Sequence, residues 1–243
     1  MNPARALVVE LVVAAPIDVV WNALRDRAAI AQWFGWNHPD LPGEVEFIFF
    51  DADAKADEAT HRLTIGDDEF ALEPRGDQTV LRVTRAAPAS GNWDDIYDEI
   101  TEGWRTFAYQ LQYWLNHHPG ETRRTTYLSG RTRTEGAPPP LEALGLGSLA
   151  NAEAGQAYVI NSEVGTLSGR VWFRSAWQMG LVVDAFGPGL LVGMRRPATD
   201  KSPFGGGMFV LTLYGFDEAA HGALTQRWRA WFESHFDNVT VQT

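Results

Sequence analysis

The chain has 243 residues, no cysteine and a formal net charge of −11. At roughly 150 residues per domain the length allows one large domain or two small ones. The missing cysteines exclude a disulfide framework, a thiolate zinc site and a cysteine nucleophile. All of the excess charge lies in residues 1–120, with 20 acidic and 9 basic side chains against 11 of each in residues 121–243. That excludes a basic footprint for nucleic acid in the first half.

The opening MNPARALVVELVVAAPIDVVW has a short apolar run with Glu10 inside it and Asp18 just beyond. It alternates from Leu7 to Ala14 and reads as a strand rather than a signal peptide. No apolar run approaches the ~20 residues of a membrane span, so the expected setting is cytoplasmic, with no membrane insertion. Pro16 starts a helix with Val20, Trp21 and Leu24 on one face. A second short helix spans Ala28 to Phe34 and stops at Gly35. Strand-like runs follow at 44–50, 61–65, 69–73 and 79–84, separated by the turns DADAKADE, GDDE and RGDQ. A loop with Gly91 and Asn92 then leads into a long helix, Glu99 to His118. In it Ile100, Trp104, Phe107, Ala108, Leu111, Trp114 and Leu115 recur at intervals of three and four. His117, His118, Pro119 and Gly120 form its stop signal. Gly103 inside it costs about 1 kcal/mol against alanine, so either the first turn approaches a neighbouring strand or loop closely there, or Gly103 lies near enough to the helix start for the cost to be small.

The second half follows the same order. A strand at 123–134 is followed by Pro138, Pro139, Pro140 and a weak helix, LEALGLGSLA. Strand-like runs come at 156–161, 169–175, 179–186, 190–195 and 208–214, and a helix spans Asp217 to Phe236. PIDVV at 16–20 and PLEAL at 140–144 are offset by 124 positions, as are Trp104-Arg105 and Trp228-Arg229. One offset at both ends of a unit of this length points to an internal duplication, with units at 1–120 and 121–243. A strand meander that must cover its apolar face with one long helix is an α+β arrangement.

Residues 5–118 resemble the START/SRPBCC superfamily, the helix-grip fold, and within it the family named after the activator of the heat-shock protein 90 ATPase. The resemblance rests on the first strand running into AAPIDVVWNALRDRAAIAQWFG, and on TEGWRTFAYQLQYWL. Its marks are Pro16, Trp21, Trp33, Gly103 and Trp104. The match over 122–238 is fainter, with Arg227 where Gly103 would fall and Gly145 where Trp21 would fall. The resemblance implies a curved antiparallel sheet wrapped around a long C-terminal helix, often with a hydrophobic cavity between them.

It therefore also implies a ligand-binding set: Trp21, Trp33, Phe34, Trp36, His61, Trp104, Phe107, Ala108 and Leu111, in the first domain. Aromatics at helical spacing equally suit plain packing on the sheet. The expected ligand is a small hydrophobic or lipid-like molecule, bound without catalysis. No cofactor, metal or catalytic residue is expected. A cyclase or hydrolase would need a titratable group inside, with His61, Glu46 and Asp98 the candidates. A third reading is a co-chaperone-like or self-associating module, with a homodimer as one form.

Other motifs give less. Asp51, Asp53 and Asp57 lack the glycine and glutamate of a calcium loop. Asp94, Asp95 and Asp98 suit a helix N-terminus. GPGLLVG at 187–193 contains Pro188 and leads into strand-like residues, which excludes a dinucleotide loop.

Overall fold

The computed structural model describes residues 5–51, 53–86, 98–187 and 189–243. The expected loop at Gly91 and Asn92, the acids Asp94 and Asp95, and Pro188 lie outside these. The chain divides into two compact units. One comprises residues 1–35 and 39–121, the other Trp36–His38 and Thr122–Thr243.

The first unit opens with β1 (Arg5–Val13), whose Val9, Leu11 and Val13 point inward by strand alternation. Next come α1 (Ile17–Arg25) and α2 (Arg27–Ile30). Pro16 caps α1, and the Asp26 carboxylate caps α2 by accepting from the Ala29 amide. Then follow α3 (Leu41–Phe50), β2 (Ala54–Asp57), β3 (Arg62–Ile65), β4 (Asp68–Arg75), β5 (Gln78–Ala86) and α4 (Glu99–His117). Among the described residues the sheet is five-stranded and antiparallel, in the order β1-β5-β4-β3-β2. Helix α4 lies against β1 and β5. Its cap is the Asp98 carboxylate, which accepts from the Thr101 amide at 2.7 Å.

The second unit runs β6 (Arg123–Thr132), α5 (Pro140–Ala143), a 3-10 turn Leu146–Leu149, β7 (Ala157–Ser162), β8 (Gly165–Arg174), β9 (Gln178–Val183), β10 (Gly189–Arg196), β11 (Gly206–Tyr214), α6 (Glu218–His235) and β12 (Phe236–Gln242). Its sheet is seven-stranded among the described residues, in the order β12-β6-β11-β10-β9-β8-β7. Asp217 caps α6 as Asp98 caps α4, accepting from the Ala220 amide at 2.7 Å. The core gathers round Trp228, which is fully buried between Phe186, Phe209 and Trp231, with ring centroids 5.8–6.2 Å away.

The two sheets share one connectivity. In each, the unit's first strand pairs with the last strand before the long helix and the remaining strands follow in reverse sequence order, the second sheet adding β12 on the other side of β6. This is the α+β, helix-grip arrangement, one sheet and one long helix per unit.

Three local expectations change. Residues 44–50 are helical, not extended. The alternation of Glu44–Phe47 and the apolar run after it mimic a strand, but Leu41, Val45 and Phe49 recur every four residues and are buried, while Phe47 is 71% exposed. In a strand Phe47 would share the face of Val45 and Phe49. Pro42 in the first turn favours the helix by its fixed φ. Second, Ala54–Asp57, read as part of a turn, forms the edge strand β2. Third, the last helix stops at His235, and Phe236–Gln242 pairs with β6 as β12. Phe236 stacks on Phe232 at 4.4 Å there.

Gly103 does not mark a close approach. A β-carbon there would meet only the Phe107 ring edge at 3.7 Å, ordinary contact. Gly103→Ala is therefore expected to stabilise the first unit by about 0.5–1 kcal/mol, through better helix propensity and a less flexible unfolded chain. Urea denaturation measures this, and a destabilised variant would contradict it.

Candidate functional site

In the first unit side chains of α3, β4, α4 and the turn after α2 converge on Trp104. Its ring lies 4.9 Å from Phe70 and 6.0–6.2 Å from Phe34, Phe49 and Phe107, centroid to centroid. Trp33 joins through Phe34 and Phe49, and its indole N–H donates to the Ala23 carbonyl at 2.8 Å. Edge-to-face contacts of this kind add about 0.5–1.5 kcal/mol per pair beyond the area they bury. Ala108 and Leu111, both fully buried, continue the inward face of α4. The Gln110 amide donates to the Trp33 and Gly35 carbonyls, tying α4 to the end of α2. Phe107 is only half-buried, at the margin of the cluster.

A carboxylate also reaches this assembly. Asp68, 6% exposed, accepts from the Trp104 indole N–H at 2.9 Å through Oδ2. Its Oδ1 is buried and makes no hydrogen bond among the described residues. Arg85 approaches Oδ1 only to 3.9 Å, and reaches Asp98 at 2.9 Å. Burial pushes the Asp68 carboxyl up. The Trp104 hydrogen bond and the Arg85 charge oppose that rise, while Asp67 and Asp98 add to it.

The remaining expected residues lie elsewhere. Trp21 and His61 form an edge-on pair at 5.5 Å, with the Trp21 indole donating to Glu58. His61 sits at φ 49°, in the left-handed region, with Nε2 4.0 Å from Asp18. Trp36 belongs to the second unit, where it stacks on Tyr127 at 3.7 Å and donates to Gln242. So Trp33, Phe34, Trp104, Phe107, Ala108 and Leu111 share one interior, and Trp21, His61 and Trp36 stand apart from it.

Of the titratable candidates, Glu46 is a surface partner of Arg27 at 2.6 Å, and Asp98 is the α4 cap. The interior carboxylate, Asp68, falls in the GDDE segment that the sequence reads as a turn, and it opens β4. The signal for it was parity, because Asp68, Phe70 and Leu72 occupy alternate, same-face positions of β4.

The second unit contains a cavity of about 180 Å³. Leu141 and Glu142 of α5 and Leu146 of the 3-10 turn form one wall, and residues 174–179 with Arg195 form the other. The Arg195 guanidinium lies 4.7 Å over the Trp177 ring, and its Nε donates to the Ala176 carbonyl at 3.1 Å. Arg174 donates to the Ala150 carbonyl. Glycine lets α5 sit this close to the sheet. A β-carbon at Gly207 would fall 1.9 Å from Pro140 Cγ, and one at Gly193 2.5 Å from Leu141 Cδ2.

Among the described residues no three His, Asp or Glu side chains group as metal ligands. Among the described residues no helix is long and apolar enough to cross a membrane.

No family model and no curated protein matches the chain. Three solved structures are similar to it. The di-domain ARO/CYC StfQ from the steffimycin biosynthetic pathway has 10% identity and a TM-score of 0.35, over 96% of this chain and 94% of that one. The di-domain ARO/CYC BexL from the BE-7585A biosynthetic pathway has 12% identity and a TM-score of 0.29, over 98% and 99%. DynU16, a protein in the dynemicin biosynthetic locus, has 14% identity and a TM-score of 0.29, over 96% and 95%.

Proposed function

We propose that the first unit binds a small, largely apolar molecule beneath α4 and releases it unchanged. The molecule carries a hydroxyl or another hydrogen-bond donor. The supporting observation is Asp68 Oδ1, which is buried and makes no hydrogen bond among the described residues, with Arg85 approaching it only to 3.9 Å. Leaving such an acceptor unmade costs about 1–3 kcal/mol, which a donor on a ligand would recover. Trp104 holds the other oxygen and so aims the carboxylate. Phe107, at the margin, is the ring that moves to admit the guest. In this reading the two units are divergent START/SRPBCC-like copies, and the first carries the hydrophobic site.

A second reading, a cyclase- or hydrolase-type enzyme in the same interior, is favoured by the raised pKa of Asp68. A carboxyl held above its ordinary range can keep and return a proton.

Isothermal titration with 1-naphthol and with naphthalene tests the first reading. The protein is expected to bind 1-naphthol at least ~10-fold more tightly, about 1.4 kcal/mol. Asp68→Ala should abolish that preference while leaving naphthalene binding in place. Equal affinities in the unaltered protein would overturn the role of Asp68. Chromatographic recovery of chemically altered naphthol would favour the enzyme.

A further inference from the structure

The cavity of the second unit has a different chemistry and stands independently of the first-unit reading. Its floor is apolar, with Leu141, Leu146 and Met179, and its rim carries two guanidinium groups, Arg174 and Arg195. In a chain with 31 acidic and 20 basic side chains, arginines are expected to find carboxylate partners. These two form no ion pair among the described residues. Backbone carbonyls hold them instead, Ala150 for Arg174 and Ala176 for Arg195. A carbonyl orients a guanidinium without neutralising it, and each group keeps further N–H donors. The Trp177 face beneath Arg195 fixes that side chain from a third direction. Glu142 also lines the cavity and likewise makes no ion pair among the described residues.

Size limits the guest. Ligand sites for drug-sized molecules run to about 300–1,000 Å³, and this one offers about 180 Å³. A cavity of about 150 Å³ holds one benzene ring. The space therefore suits one ring with one small substituent. The apolar floor takes the ring, and the arginine rim takes a carboxylate, the planar anion that a guanidinium fork matches.

We infer that the second unit binds a single-ring aromatic carboxylate between α5 and the β8–β9 turn, with Arg174 and Arg195 holding the carboxylate. Both arginines lie on the surface, so replacing them leaves the packed core intact.

The test uses the full chain and fluorine NMR of 4-fluorobenzoate, with 4-fluorobenzamide as its uncharged isostere. The benzoate is expected to bind at least ~10-fold more tightly than the benzamide. The double variant Arg174→Gln/Arg195→Gln should lose that advantage while its melting temperature stays unchanged. The single Arg→Lys variants, which keep the charge and lose the fork, should fall between. Absence of benzoate binding to the unaltered chain would overturn the proposal, as would equal binding of the two probes. So would a double variant that binds benzoate as the parent does. Asp68→Ala should leave benzoate binding untouched, which separates this site from the first-unit reading.

Discussion

Trp104→Ala is expected to cost the first unit about 3–5 kcal/mol, the usual loss for a large aromatic removed from a packed core. Four rings lose their common neighbour, and Asp68 loses the donor to Oδ2. Trp104→Phe separates the two effects. It keeps most of the ring and removes the indole N–H, leaving a buried carboxylate with neither oxygen hydrogen-bonded among the described residues. That step alone is expected to cost about 1–3 kcal/mol near neutral pH.

The sign of its pH dependence follows from Asp68. Its folded pKa lies above its ordinary value, 3.8, so the folded chain holds this proton more tightly than the unfolded one. Ionising Asp68 therefore costs stability as pH rises through the window above 3.8, and acidification restores it. Losing the Trp104 N–H raises the folded pKa further and widens that window. Trp104→Phe should accordingly be more destabilising at about pH 7 than at about pH 4. Urea denaturation at both values measures it. A loss independent of pH would mean that the indole contributes through packing and that its bond to Asp68 is neutral.

The second large effect is expected at Gly207. An alanine there would set its methyl group 1.9 Å from Pro140 Cγ, far inside the ~3.5–4.0 Å of favourable carbon contact. The proline ring has no rotamer to escape into, and Gly207 is central in a sheet paired on both sides, to Arg195 and Gly130. Either α5 lifts or the strand shifts. Overpacking of this kind typically costs 1–3 kcal/mol, and a rigid neighbour on each side favours at least about 3. Because α5 forms one wall of the cavity, Gly207→Ala should also weaken 4-fluorobenzoate binding. Thermal unfolding and the NMR titration check the two effects, and a variant as stable as the parent would refute the close packing of α5 on β11.

Much of the fold was legible because it is written in local periodicity. Helices 99–117 and 218–235 announce themselves by apolar residues every three or four positions, and most strands by alternation. Where the local signal was ambiguous it misled. Glu44–Phe50 reads as strand-like, alternating over Glu44–Phe47 and then running apolar to Phe50, yet the burial of Leu41, Val45 and Phe49 together on one helical face wins. β12 escaped because FDNVTVQ has few apolar residues, and β6 supplies its partner from more than 100 positions upstream.

The candidate sites were less legible than the fold. Trp104 and Phe107 stood out by helical spacing, whereas Trp33 and Phe34 were reached only through the resemblance to the helix-grip fold. Asp68 could not, since its meaning depends on Trp104, 36 residues later. Nor could the cavity of the second unit, whose walls are brought together by the fit of Pro140 against Gly207.

The sequence by itself determined most of the helices and strands, including both long helices, their order, and which of their faces are apolar. Those follow from the conformational preferences of each residue and from the repeat along a few turns of chain. Only the tertiary structure decided what fills each apolar face, which carboxylate is buried and which arginines are left with backbone carbonyls in place of counter-ions. Burial and charge pairing depend on neighbours far away in the chain, and no local pattern encodes them.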